Sequence, residues 1–260
     1  MAESIIAGLL RQKVVQAEQI SASHPREDRR TYLKDAYGIE VYSSNTETVA
    51  AQTSDDSLVV LCVKPQRING LLKELNGSVK TGQLVISIVA GAKIAAISDA
   101  LENRLVVRAM PNTPAQIGAG MTVWTCSSET DETHRAQVRE LFSALGRQLH
   151  VETENMIDMA TSLSATGPTY IFMMMEALTD AGVHMGFSRE VSKELVQQTM
   201  LGSTLFAIDS HKHPAELRNM VTSPGGTSAA AIYEMEKGGL RTVLSKAVYA
   251  AYKRAVDLGK

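Results

Sequence analysis

The sequence predicts an α/β fold in the first half of the chain, a mostly parallel doubly wound sheet, followed by an all-α second half. Short apolar runs alternate with helical segments as far as residue 151, and no strand pattern recurs after Asn155. Several runs are rich in Val and Ile without polar alternation, as strands covered on both faces must be.

The elements follow in order. Residues 1–10 carry a helical pattern. Strand-like runs lie at 18–22, 39–42, 58–63, 84–89, 105–110, 121–126 and 148–151. Between them, helical stretches cover 26–37, 46–52, 65–75, 94–101 and 132–145, the last with Gly146 as its expected stop. The second half reads as helices over 155–164, 168–185, 188–210, 214–221, 229–237 and 240–258. Pro168 suits the first turn of its helix. The run Tyr170-Ile171-Phe172-Met173-Met174-Met175 is apolar nearly all round, which demands burial on several sides. Methionine suits a surface packed on a second copy, so a homodimer is expected. The domain boundaries drawn from this pattern are 1–152 and 153–260.

Composition excludes several classes. Of 260 residues 44% are hydrophobic and 21% charged, as in a globular protein, and the net charge of -2 comes without a basic stripe, which argues against a nucleic-acid partner. No run is apolar enough to span a membrane. Cys62 and Cys126 sit in apolar strand-like runs and read as reduced thiols of a cytoplasmic protein. No Cys/His spacing suggests a metal; His211 and His213, beside Pro214, read as a solvated loop.

Ligands on open α/β sheets bind beyond the carboxyl ends of the strands. Three ends here carry unusual residues: Val63-Lys64-Pro65, Val89-Ala90-Gly91, and Met110-Pro111-Asn112-Thr113-Pro114 with its two bracketing prolines. For Lys64 a plain solvated lysine is the competing reading. The end of the 18–22 run offers Ser23, His24 and Arg26 where an acidic residue would accept the ribose hydroxyls of NAD. These residues suit a 2′-phosphate instead. Ser223-Pro224-Gly225-Gly226-Thr227-Ser228 joins two helices, with Thr227 or Ser228 as expected N-cap. Such a turn presents free N–H groups and hydroxyls at the positive end of a helix, a seat for a small carboxylate. An ordinary capped turn is the alternative.

Taken with Leu163-Ser164-Ala165-Thr166-Gly167-Pro168-Thr169-Tyr170, these motifs resemble, in order and spacing, those of the pyrroline-5-carboxylate reductases over essentially the whole chain. The resemblance implies a Rossmann-like NAD(P)-binding domain, an interleaving helical dimerisation domain, assemblies of dimers, and reduction of a cyclic imino acid, 1-pyrroline-5-carboxylate, to L-proline in proline biosynthesis. It implies cofactor contacts at Ser23, His24, Arg26, Asn45, Val63, Lys64, Pro65, Val89, Ala90, Met110 and Asn112, with NADP the expected cofactor and NAD the alternative. Glu154, Gly225, Gly226, Thr227 and Ser228 would hold substrate, Ser228 and Thr227 being catalytic: Ser228 on the ring nitrogen, the Gly226 and Thr227 amides on the carboxylate. Relatives begin with an apolar strand and a Gly-rich turn that this sequence lacks, so the first strand of the sheet is expected to be missing. A start assigned at an internal methionine is the favoured explanation, a short variant with impaired cofactor binding the other. The rival activities are a related NADP-dependent imine or hydroxyacid reductase and a catalytically silent dimer.

Overall fold

The computed structural model describes residues 1–52, 54 and 57–259. They divide into two compact units, residues 1–168 with 250–260, and residues 169–249. The first unit opens with helix α1 (Ala2–Arg11), strand β1 (Ser21–Ser23), α2 (Glu27–Tyr37), β2 (Glu40–Tyr42) and α3 (Asn45–Ala50). It continues through β3 (Leu58–Leu61), α4 (Ile68–Leu75), β4 (Leu84–Ser87), α5 (Ile94–Leu101), β5 (Val106–Met110), β6 (Gly120–Cys126), α6 (Glu132–Ser143), β7 (Gly146–His150) and α7 (Asn155–Ala160). A π-turn (Thr161–Ala165) follows α7.

The seven strands fall into two sheets. β1 and β2 pair in parallel, and a five-stranded sheet runs in the order β3-β4-β5-β6-β7. Among the described residues no strand joins the two sheets. β1 instead leans on α3: the Ser21 hydroxyl donates to the Thr48 carbonyl at 3.0 Å, and the Thr48 hydroxyl lies 3.3 Å from the Ala22 carbonyl.

Pairing is parallel except between β5 and β6. The link between those two is a short 3₁₀ turn, Thr113–Ile117, and a parallel return needs a crossover of a dozen or more residues. The Pro-bracketed loop therefore reverses the chain. Gly146 is a second departure: it opens β7 at φ +135° instead of stopping α6, which ends at Ser143.

Helices cover the five-stranded sheet. One cluster joins Ile5 of α1 and Val138, Leu141 and Phe142 of α6 to Ile86, Val107 and Trp124 of the strands. The other joins Leu71, Leu72 and Leu75 of α4 and Ile97 and Leu101 of α5 to Val85 and Val106. β4 and β5 are buried along their whole lengths, as the unbroken Val/Ile pattern requires. Burial pushes the thiol of Cys62, just beyond β3, up to about 12. At pH 8 roughly one such thiol in ten thousand is ionised. In a Cys126→Ser protein, Ellman's reagent should therefore label Cys62 at least about a hundredfold more slowly than in guanidinium.

The expected boundary at 152/153 marks the loss of strand signal, whereas the compact units divide after Pro168. Ile157 of α7 packs with Met110, Val123 and Val151, which keeps α7 with the sheet.

The second unit holds most of α8 (Gly167–His184), then α9 (Arg189–Ser210), α10 (Pro214–Met220) and α11 (Thr227–Lys237). α12 (Leu240–Asp257) begins there, and its last turns belong to the first unit. α8 and α9 meet closely where the Ser192 hydroxyl donates to the Thr179 carbonyl at 2.7 Å. Yet of residues 169–249 only Gly182 and Ser192 are buried. The apolar run of α8, expected to be enclosed, stands open in the single chain: Phe172 is 59% and Met173 65% exposed. An all-round apolar helix left so exposed lacks a covering surface.

Candidate functional site

At the end of β1, the Ser23 hydroxyl donates to Asn45 Oδ1 at 2.6 Å. The Asn45 amide side chain and backbone N–H both donate to the Glu74 carboxylate, at 2.8 and 3.2 Å. Glu74 was not foreseen; it fixes Asn45 at the start of α3. His24 Nδ1 accepts from the Arg26 N–H at 3.2 Å, and Arg30 donates to the carbonyls of His24 and Pro25. Arg29 is committed to Glu3 of α1 and stacks over Tyr32, 4.5 Å from the ring centre. Burial alone would raise the Glu3 carboxyl, but hydrogen bonds from Tyr37 and Arg29 bring it below its ordinary value. Arg26, the N-cap of α2, is largely exposed, with Asp28 3.8 Å away. Ser23, His24, Arg26 and Asn45 thus lie together at one strand end, with the exposed Arg26 guanidinium held, among the described residues, only by the solvent-exposed Asp28.

The other strand ends differ in how much side chain they offer. Lys64 caps a 3₁₀ turn that Pro65 opens, and its exposed ammonium has no partner among the described residues. Val63 and the buried Val89 pack into the second core cluster, so Val89 turns only its backbone outward. Past Ala90, Gly91 adopts φ +78°, and a Cβ there would lie 2.4 Å from the Leu258 carbonyl oxygen at the end of α12. Met110 is buried. Asn112 Oδ1 accepts from the Met121 N–H at 2.8 Å and its Nδ2 donates to the Ser164 carbonyl at 3.4 Å. Its side chain braces the loop against the π-turn.

Glu154 is engaged within its own unit. Its Oε1 accepts from the Ile94 N–H at 2.8 Å and from Arg108 Nη1 at 3.2 Å. The other arm of Arg108, Nη2, donates to Asp158 Oδ1 at 2.5 Å. Arg108 is 1% exposed, and a buried cation requires such partners. Sequence reasoning missed this cluster, although an arginine inside Val106-Val107-Arg108-Ala109-Met110 is the kind of interruption that marks one.

In the second unit, the turn before α11 takes a form more open than a side-chain cap would allow. Gly226, not Thr227 or Ser228, is the N-cap, and no side chain caps the helix. Gly225 needs its φ of +71°, and a Cβ on Gly226 would lie 2.5 Å from Ser223 Oγ. The Gly226 N–H is spent on the Ser223 carbonyl at 3.0 Å, and the first helical bond runs from the Ala230 N–H to Gly226. The N–H groups of Thr227, Ser228 and Ala229 therefore have no acceptor in the helix. The donor set lies one residue later than expected. The hydroxyls of Thr227 and Ser228 likewise form no hydrogen bond with any described residue. Three unbonded amides and two unbonded hydroxyls thus sit in the first turn of α11, where a carboxylate is favoured.

A mostly parallel sheet with polar strand ends, followed along the chain by helices with open apolar faces, is the layout of dinucleotide-binding oxidoreductases that carry a helical second region. The family models for NADP oxidoreductase, coenzyme F420-dependent, and for pyrroline-5-carboxylate reductase dimerisation match residues 1–91 and 154–258. The chain belongs to the pyrroline-5-carboxylate reductase family. It is 39% identical over 260 residues to the pyrroline-5-carboxylate reductase of Synechocystis sp., covering all of this chain and 95% of that one. With the Pseudomonas aeruginosa enzyme it shares 40% identity over 261 residues, 100% and 94% of the two chains. A crystal structure of Plasmodium falciparum pyrroline carboxylate reductase with NADP bound superposes with a TM-score of 0.89 at 28% identity, over 99% of this chain and 94% of that one.

Proposed function

We infer that this chain reduces 1-pyrroline-5-carboxylate to L-proline with NADPH, as the last step of proline biosynthesis. The observation that carries the reading is the uncommitted donor set at the start of α11. The Thr227, Ser228 and Ala229 amides receive the substrate carboxylate, and the N–H of the protonated imine donates to the Ser228 hydroxyl. Fixing both ends of a small ring presents one face of its imine carbon for attack, and such placement supplies most of what the reaction needs. Bound NADPH supplies the hydride. Hydride addition at the imine carbon would send the C=N π electrons to nitrogen and leave a neutral ring amine, with no further proton needed.

Residues on this chain fit much of the nucleotide. Arg26, with Ser23 and His24, receives the 2′-phosphate, where an acidic residue would repel it. Lys64 and the backbone of Val89 and Ala90 line the neighbouring strand ends, and the Met110–Thr113 loop would face the nicotinamide. For the diphosphate, the described residues offer the N-terminus of α1. That positive end favours anions, and the first-turn carboxylate of Glu3 is already engaged by Arg29 and Tyr37. Arg26→Ala should raise the KM for NADPH about tenfold and leave that for NADH unchanged.

The exposed apolar faces of the second unit are covered by a second copy, making a homodimer. Larger assemblies build from it. The free thiols fit a reducing cytoplasm.

The test is a substrate panel of pyrroline-5-carboxylate, piperideine-carboxylate and 2-keto acids with NADPH and NADH. The reading predicts strongest turnover on the five-membered imine. Preference for a keto acid would favour the hydroxyacid-reductase alternative. The silent-dimer reading has one observation in its favour, the unjoined edges of β1 and β3. Fluorescence titration with NADPH decides it, because a silent chain would not saturate.

A further inference from the structure

We propose that Arg108 is a positioning residue for hydride transfer. The proposal rests on the reading above: through Glu154 and Asp158, Arg108 fixes the turn after β4 relative to the loop after β5. The cluster ties together three segments that are remote in sequence. Arg108 lies on β5, two residues before Met110. Glu154 and Asp158 lie at the start of α7 and within it. Glu154 Oε1 also accepts from the N–H of Ile94, the first residue of α5, just after the Ala90–Gly91 turn. One carboxylate oxygen thus holds the entry to α5 and the guanidinium of β5 together.

The charges show that the arrangement is specific. Two carboxylates face one guanidinium, a formal excess of one negative charge, and the Ile94 N–H at the start of α5 meets that excess. Arg108 Nε is buried without a hydrogen-bond partner. The side chain is therefore held for its two terminal contacts and not for full satisfaction of its own donors. A second brace lies beyond it, from Asn112 to the Ser164 carbonyl. The two braces fix the Met110–Asn112 strand end against α7 and the π-turn. A displacement of about 1 Å in a reacting pair can cost about a hundredfold in rate, so a clamp on these turns acts on kcat without touching the reactants.

This assigns Glu154 a role different from the substrate contact that the family resemblance implies. The two roles separate on chemical grounds. Glutamine in place of Glu154 keeps an oxygen for the Ile94 N–H but no charge for a cationic imine. Alanine keeps neither.

The experiment compares Arg108→Lys, Glu154→Ala and Glu154→Gln with the unsubstituted full chain. The readouts are kcat, both KM values, the isotope effect with NADPH deuterated at the transferred position, and amide exchange of peptides covering 88–97 and 108–113 in the cofactor-free protein. Arg108→Lys and Glu154→Ala should lower kcat about a hundredfold, with substrate KM changing less than about threefold. The isotope effect should rise, and exchange should quicken in those two segments. Glu154→Gln should recover a large part of the Glu154→Ala loss. Three results would each overturn the proposal: unchanged exchange in both segments; a lowered melting temperature with kcat and isotope effect intact; or a rise in substrate KM alone, with glutamine no better than alanine. Should Arg108→Lys fail to fold, the two Glu154 variants decide the outcome. A protein inactive on pyrroline-5-carboxylate would refute the functional reading, and the exchange data would still report whether the clamp exists.

Discussion

Replacing Leu205 of α9 by glutamate should convert the proposed dimer to a monomer and abolish activity at assay concentrations. Leu205 is 56% exposed in the single chain, within a helix whose Leu195, Leu201, Phe206 and Ile208 are also about half exposed. A unit whose 81 residues bury only a glycine and a serine has little apolar burial of its own to offset the entropy of ordering its helices. Covering these faces by a second copy, as proposed, would supply that burial. Each enclosed Leu side chain contributes about 1.5–3 kcal/mol, and twofold symmetry counts every substitution twice. A loss of about 3–6 kcal/mol weakens dimerisation by two to four decades, before the cost of burying a carboxylate is added. Sedimentation against protein concentration, with activity measured on the same samples, checks this. Phe172→Glu on α8 should behave alike. A Leu205→Glu protein that remains dimeric and active would show that this face is not the interface.

Removing the Ser228 hydroxyl is the second large effect. Ser228→Ala should lower kcat about a hundredfold, since a hydrogen bond to a charged group contributes about 1.5–3 kcal/mol and the proposed one would form at the reacting imine. The KM for NADPH should not move. Melting temperature should stay within about 2 °C, because the hydroxyl has no partner within the described residues and its loss leaves nothing unsatisfied. Thr227→Val makes a useful contrast: it removes the neighbouring hydroxyl, keeps the Thr227 amide, and should cost less. A Ser228→Ala enzyme with full turnover would remove Ser228 from the chemistry.

Much of the fold could be read from local pattern, for identifiable reasons. Residues 94–101 carry a complete helical repeat between a glycine turn and Leu101, and α5 has those same bounds. Pro214 and Ser188 mark the starts of α10 and α9 through proline geometry and a side-chain cap. What escaped depends on features that an apolar pattern does not carry. The reversal of β6 follows from the shortness of the Thr113–Ile117 link, which an apolar run cannot reveal. Gly146 reads equally well as a helix stop or as the kinked start of a strand, and only the packing of β7 on Gly120 decides. An apolar run such as Tyr170–Met175 demands cover without saying whether its own chain provides it.

The site divides along the same line. Gly225 and Gly226 announce a helix entry, but the N-cap lies on a glycine, which frees both following hydroxyls instead of spending one. That distinction, which rests on backbone geometry, leaves the first turn of α11 with donors to spare. The partners of Arg108 are 46 and 50 residues away, beyond the reach of any local rule.

The crystal structure of the dimer with L-proline and NADP bound tests the central claim most directly. The account predicts the proline carboxylate on the N–H groups of Thr227, Ser228 and Ala229, with the ring nitrogen within hydrogen-bond distance of Ser228 Oγ. Proline bound elsewhere, with those amides facing water, would contradict it.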